Sequence, residues 1–161
     1  MTFAIILSTL LIVFFIAVFV FLRVLKVRKT EKVLKKYEGK NILRMCPSAN
    51  FFGLMSRGLA QVRGNGVLIL TDEEIFFEMW VPSRQLEIRV SSISKVESVK
   101  SFLKKTKLLP FVRVDFKDER GQDDAAAWLV PRTKDWVNDI EKLISRKAGT
   151  GDDDYSESNA D

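Results

Sequence analysis

Residues 63–80 read RGNGVLILTDEEIFFEMW, and this stretch decides the architecture. Val67–Leu70 is an apolar run too short for a helix and bounded by turn-formers, the pattern of a buried strand. Thr71-Asp72-Glu73 turns the chain into Ile75-Phe76-Phe77-Glu78-Met79-Trp80, which Pro82-Ser83 ends. Arg63-Gly64-Asn65-Gly66 is hairpin-turn chemistry, so a preceding strand is expected over 51–62. Strands joined by such short turns are antiparallel neighbours.

The same punctuation continues toward the C-terminus. Leu86, Ile88 and Val90 alternate with Glu87 and Arg89, and another strand is expected through Ser94–Phe102. A basic loop follows at Lys104-Lys105-Thr106-Lys107. Val112, Val114 and Phe116 then alternate with Arg113, Asp115 and Lys117, and after a loop at 118–122 the last strand covers 125–130. The period changes at Trp136, Val137, Ile140, Leu143 and Ile144, which follow helical spacing after a Thr133 cap. Residues 45–146 are therefore expected to be mainly β with α: seven strands in a barrel or sandwich, its open end closed by a C-terminal helix.

Gly66-Val-Leu-Ile-Leu-Thr-Asp-Glu-Glu-Ile-Phe-Phe77 and Leu86-Glu-Ile-Arg-Val-Ser-Ser-Ile-Ser-Lys-Val-Glu97 resemble the core of GRAM and bacterial pleckstrin-homology-like (PH-like) domains. The resemblance extends over 45–146 in strand count, strand order and terminal helix. It implies a seven-strand barrel-like sandwich capped by the helix, and it supplies no ligand, since members of this wide fold bind phosphoinositides, peptides or other proteins. The Lys-x(n)-Arg-x-Arg cluster of inositide-binding members is absent. Arg57 and Arg63 stand near the first hairpin, six residues apart.

Upstream, Phe3–Leu22 is twenty residues without a charge, polar only at Ser8 and Thr9. At ~1.5 Å per residue this run is ~30 Å long, the thickness of a hydrocarbon core. Bulky Phe19, Phe21 and Leu22 stand where a signal peptidase wants small residues, and no basic side chain precedes the run, so 1–22 reads as a retained transmembrane anchor. Residues 23–44 carry nine Lys/Arg against two Glu. By the positive-inside rule the N-terminus is then expected outside and the C-terminal domain in the cytoplasm, in a single-pass membrane protein.

The basic segment lacks Pro and Gly as far as Gly39, so the helix is expected to continue past the span. Arg28, Lys29, Lys32, Lys35 and Lys36 project on one arc, while Val24, Val27, Val33, Leu34 and Tyr37 gather on the other. Such segregation suits a helix in the interface, with Val and Leu toward lipid and Lys toward anionic headgroups. An upright stalk would instead lift the domain about 24 Å from the bilayer. From Lys147 onward one Lys stands against five acids, an acidic tail expected to be disordered.

Composition narrows the chemistry. The chain has no histidine, which removes Ser–His and Cys–His nucleophile systems, and the single Cys46 offers neither an intrachain disulfide nor a thiolate cluster. Asp72, Glu73, Glu74, Asp123 and Asp124 fall in turns or at strand starts, where solvated carboxylates are ordinary, and Trp80, Trp128 and Trp136 suit core filling. No catalytic residues, metal ligands or cofactors are expected, and the domain's near-neutral charge speaks against nucleic acid. The candidate lipid contacts are Arg28, Lys29, Lys32, Lys35 and Lys36, together with Lys104, Lys105 and Lys107, which Phe102, Leu103, Leu108 and Leu109 flank. Arg57, Arg63 and Arg84 are weaker candidates. The chain is thus expected to be a membrane-tethered, non-enzymatic module reading anionic lipid headgroups or a protein partner; the alternative is an assembly subunit of a larger membrane complex.

Overall fold

The computed structural model describes residues 2–149, leaving aside the side chains of residues 2, 4, 105 and 107. Its element order is α1 (Thr2–Lys36), β1 (Ile42–Leu54), β2 (Gly64–Thr71), β3 (Glu74–Met79), β4 (Arg84–Arg89), a 3-10 turn at Val90–Ser92, β5 (Ile93–Phe102), β6 (Lys105–Lys117), β7 (Asp123–Leu129) and α2 (Thr133–Gly149). The seven strands form one antiparallel sheet in the order β4-β3-β2-β1-β7-β6-β5. β1 joins its halves, pairing with β2 over Ile42–Phe51 and with β7 over Asn50–Leu54. Register shifts let it bend between those partners. The sheet curls around one main core containing Phe51, Phe77, Val114, Trp128 and, from α2, Trp136 and Ile140.

The expected layout of a long apolar N-terminal helix, seven strands and a closing helix is the observed one. Several boundaries differ. The first strand is not 51–62 but Ile42–Leu54, so the sheet begins within the segment assigned to the linker. Gly64-Asn65-Gly66 is not a hairpin turn but the start of β2. Its glycine serves close packing: a Cβ on Gly66 would stand 2.3 Å from the Glu78 carbonyl oxygen and 2.6 Å from the Phe77 ring. Around the β1–β2 connection the glycines at positive φ are Gly53 and Gly58 instead. Thr133 does not cap α2 as an acceptor. Its hydroxyl donates to the Pro110 and Val130 carbonyls, tying the helix to β6, while the Asp135 and Trp136 amides bond to the Arg132 carbonyl. Helix α2 itself runs to Gly149, taking in the first three residues assigned to the tail; the rest of the acidic tail lies outside the described residues.

Helix α1 is continuous from the apolar run through the basic segment. It is the one helix among the described residues long and apolar enough to cross a membrane, and its apolar side chains are exposed. Its last turns do not face outward on every side. Val33 and Tyr37 are buried against Val67, Ile69 and Phe76 on the outer face of the sheet. The apolar arc expected to dip into lipid is therefore partly spent on the domain itself.

Gly66→Ala tests the close approach of β2 and β3. It is expected to cost about 1–3 kcal/mol through forced strand separation, read as a lowered denaturation midpoint. Gly149→Ala, where an added Cβ meets nothing within 4 Å, is expected to leave the midpoint unmoved.

Candidate functional site

Two regions hold most of the side chains that the sequence singled out: the strap formed by the end of α1, and the open mouth of the curled sheet. The strap is built on the alternation of β3. Phe77 and Met79 enter the main core, so Glu74, Phe76 and Glu78 lie on the outer face, beneath α1. Glu78 is 1% exposed, yet it has an ionic partner. Lys29 Nζ lies 2.6 Å from its Oε1, Gln85 Nε2 donates to its Oε2 at 3.2 Å, and Lys32 Nζ stands 3.9 Å away. Lys29 also donates to Ser83 Oγ at 2.7 Å.

About two helical turns beyond Lys29, Lys36 pairs with Glu87 and lies 4.1 Å over the Phe76 ring. Tyr37 donates its hydroxyl to Glu74 at 2.7 Å, and Lys40 stands 3.6 Å and 3.7 Å from Glu73 and Glu74. Burial, helped by the Glu74 carboxylate at the hydroxyl, pushes the Tyr37 phenol far up, so it stays a donor. Burial also pushes the Glu78 carboxyl up, but the Lys29 and Gln85 hydrogen bonds and the Lys29 and Lys32 charges outweigh it and hold the group below its ordinary value.

These contacts fix a direction. Lys29 meets Glu78 and Tyr37 meets Glu74, so α1 runs antiparallel to β3. The β3–β4 turn, residues 80–83, thus lies at the end of the sheet toward which the apolar run extends. Lys29 is seven residues beyond Leu22, about 10 Å along the helix. The domain lies back along the helix and does not hang from the end of a 24 Å stalk.

The mouth opens at that same end. A Cβ on Gly64, at the start of β2, would touch the Met79 sulfur and the Val81 carbonyl, so the β1–β2 connection and the β3–β4 turn share a rim. Between them lies a small cavity of about 50 Å³ with Phe51, Leu54, Phe77 and Met79 in its lining and Arg57, Gln61, Arg84 and Gln85 among its polar residues. The apolar side chains of Met55, Leu59, Val62 and Val81 are exposed on these two connections. A wider groove of about 910 Å³ adjoins, between β4 and the β6–β7 turn. It mixes Arg57, Arg89, Lys117 and Arg120 with Glu74, Glu87, Asp118, Glu119 and Asp124. Some of those acids are already engaged: Asp124 accepts from the Ser56 amide and hydroxyl, and Asp118 caps the amides of Arg120 and Gln122.

The structure therefore sorts the candidates. Arg57 and Arg84 come together at the mouth. Arg63 does not join them, because its Nε donates to the Phe52 carbonyl and its Nη2 is enclosed without a partner. Lys29 and Lys36 are engaged with glutamates of the sheet, whereas Arg28, Lys32 and Lys35 remain exposed. The expected loop at 104–107 is a two-residue turn, Leu103-Lys104, both at positive φ, with Lys105 and Lys107 already in β6. Lys104 is exposed; the side chains of Lys105 and Lys107 lie outside the described residues. Among the described residues no group of His, Cys, Asp and Glu has the arrangement of a metal site. Reading from sequence missed the acidic partners Glu74, Glu78 and Glu87. The available signal was a carboxylate at Glu78 inside an otherwise apolar strand.

No family model matches the chain, and no curated protein does. Among solved structures, the crystal structure of the C-terminal domain of an unknown protein from Leishmania infantum is similar, with a TM-score of 0.49 and 13% identity, covering 71% of this chain and 98% of that one. Likeness at that level transfers no function.

The Glu78 pair has a signed pH dependence. A carboxyl lowered by folding stabilises fully above its ordinary pKa, near 4.3, and loses that contribution as pH falls through the lowered value. The strap is expected to stay docked at neutral pH and to loosen only in acid below about pH 4. Glu78→Gln is expected to abolish that acid step and weaken docking by about 3 kcal/mol, the low end for a broken buried pair because Lys29 still reaches solvent. Hydrogen exchange of the 33–40 amides, corrected for intrinsic pH dependence, reads both.

Proposed function

We propose that the chain is a non-enzymatic, membrane-tethered binding module, PH-like in its domain, whose mouth rests against the bilayer that holds its own anchor. The observation that carries this reading is the antiparallel strap. Because Lys29 and Tyr37 lock α1 along β3, the rim bearing Arg57, Arg84, Val81 and Leu59 points toward the apolar run. Exposed apolar side chains beside arginines are what an interfacial surface needs, with the first set entering the headgroup–acyl boundary and the second pairing with phosphates. The curled seven-strand sheet with its terminal helix supports the reading, since it loosely fits the layout that the PH-like resemblance implies.

Two arginines over an apolar floor suit one phosphodiester of an anionic phospholipid. They do not suit a polyphosphorylated inositol, because the adjoining groove carries more acids than bases. Positive-inside asymmetry supports the cytoplasmic leaflet for this face, where anionic lipid is abundant. Tethering supplies the concentration, so weak intrinsic affinity suffices.

Nitroxide labels on the full chain in nanodiscs test the orientation. A label at Val81→Cys is expected in the headgroup layer and one at Leu108→Cys in water. Equal water accessibility at both positions would sink the proposal. Adding phosphatidylserine to phosphatidylcholine discs is expected to immobilise the Val81 label further. Arg57→Glu with Arg84→Glu is expected to cancel that added effect while leaving the melting temperature unchanged.

A further inference from the structure

The most exposed apolar side chain on the sheet domain is Leu108, at 98%, with Leu109 beside it at 64%. They are presented by a defined irregularity of the β5–β6 hairpin. Val99 faces Phe111 and Ser101 faces Thr106, so four residues, 107–110, stand against Lys100 alone. The extra length bulges outward and carries the leucines with it. Its base is firm: Phe102 and Phe111 are buried with Phe52 in a second small core, where the Phe52 and Phe111 rings stack at 4.6 Å. A leucine pair held out by a rigid base is neither a frayed end nor a core residue out of place.

We infer that this bulge is a docking surface for an extended or helical segment of another protein in which apolar residues are flanked by acidic ones. Charge selects that occupant. Lys100 and Lys104 are both exposed beside the leucines, and they favour carboxylates across the interface. A second copy of the same bulge would set lysine against lysine, so self-pairing is disfavoured. The module's own bilayer is out of reach, a step that rests on the orientation proposed above. The hairpin turn lies at one end of β5, and ten strand residues put roughly 30 Å between it and the β6–β7 turn beside the mouth. One end of the domain thus meets lipid while the other offers leucines to a soluble partner.

The test selects peptides from a random displayed library on the full chain in phosphatidylcholine nanodiscs. Enriched sequences are expected to combine Leu, Ile or Phe with Asp or Glu. Their synthetic forms are expected to lose tenfold or more in affinity against Leu108→Asp with Leu109→Asp, and several-fold with a shallower salt dependence against Lys100→Glu with Lys104→Glu. All four side chains are solvent-facing, so melting temperatures are expected to stay at the parent value. No enrichment, enrichment of basic sequences, or binding indifferent to Leu108→Asp overturns the inference. So does burial of the Leu108→Cys label in added phosphatidylserine vesicles, which would make the bulge a lipid contact. The Val81 and Leu108 labels report the orientation separately, so failure of that reading is told apart from failure of this one.

Discussion

An apolar run that continues without a break into a basic helix leaves the placement of the attached domain undecided until some residue of that helix finds a partner in the domain. Here the partner is Glu78. A carboxylate on the outer face of β3, 1% exposed, would be untenable alone; desolvation would force it to protonate. Lys29 makes it tenable, and Ser83 and Gln85 complete the set of bonds around the pair. A buried ion pair adds little net stability over an apolar pair of the same size, yet removing one member is costly. Its effect is to set register. Val33 and Tyr37 could slide by a turn along an apolar sheet face, whereas Lys29 opposite Glu78 and Tyr37 opposite Glu74 allow one setting. Which end of the sheet lies near the apolar run follows from that register.

The outer contact also explains an oddity of the inner sheet. In an antiparallel sheet with one wet face, strands alternate apolar and polar residues. Strand β2 does not: Leu68 and Leu70 enter the main core while Val67 and Ile69 are buried on the other side. Phe76 and Phe77 repeat the pattern on β3, one beneath the strap and one in the core. Across β1, β7, β6 and β5 the outer face is covered by local means, with Phe52, Phe102, Phe111 and two alanines forming their own cluster. The curled sheet is therefore dry on both sides over much of its area, which a domain of about a hundred residues achieves only by borrowing the helix that precedes it.

Much of this was legible in the sequence. The uncharged run, the short apolar stretches of 67–79 and the amphipathic 136–144 segment each carry a signal that tertiary structure did not override. The first strand was misplaced because Gly64-Asn65-Gly66 has the composition of a turn, while its glycine answers to the Phe77 ring and the Glu78 carbonyl, neighbours that a linear pattern does not display. The mouth was half legible. Arg57 and Arg84 were candidates, but only the fold separates them from Arg63, which differs in its hydrogen bond to Phe52 and not in its sequence context. The strap was readable in principle, since unbroken Val67–Leu70 on an antiparallel strand asks for cover on both faces. The projected helix hid it. Lys29, Val33, Lys36 and Tyr37 straddle the boundary between the basic and apolar arcs, so assigning each arc its own environment split the face that docks.

That mixed face changes how the basic segment should be understood. Nine positive charges next to an apolar run look like one electrostatic device, yet they divide by partner. Lys29, Lys36 and Lys40 answer Glu78, Glu87 and the Glu73–Glu74 pair, and Arg44, beyond the helix on β1, answers Asp135 and Asp139 of α2. Arg28, Lys32 and Lys35 stay exposed, and Lys32 is 3.9 Å from a carboxylate that Lys29 already holds. Charges spent inside the fold are unavailable to headgroups, so attraction to an anionic leaflet is smaller than the sequence count suggests. What the fold gains is orientation. A flexible tether gives a domain concentration near a surface and leaves it to tumble, whereas a docked helix gives concentration and one fixed face.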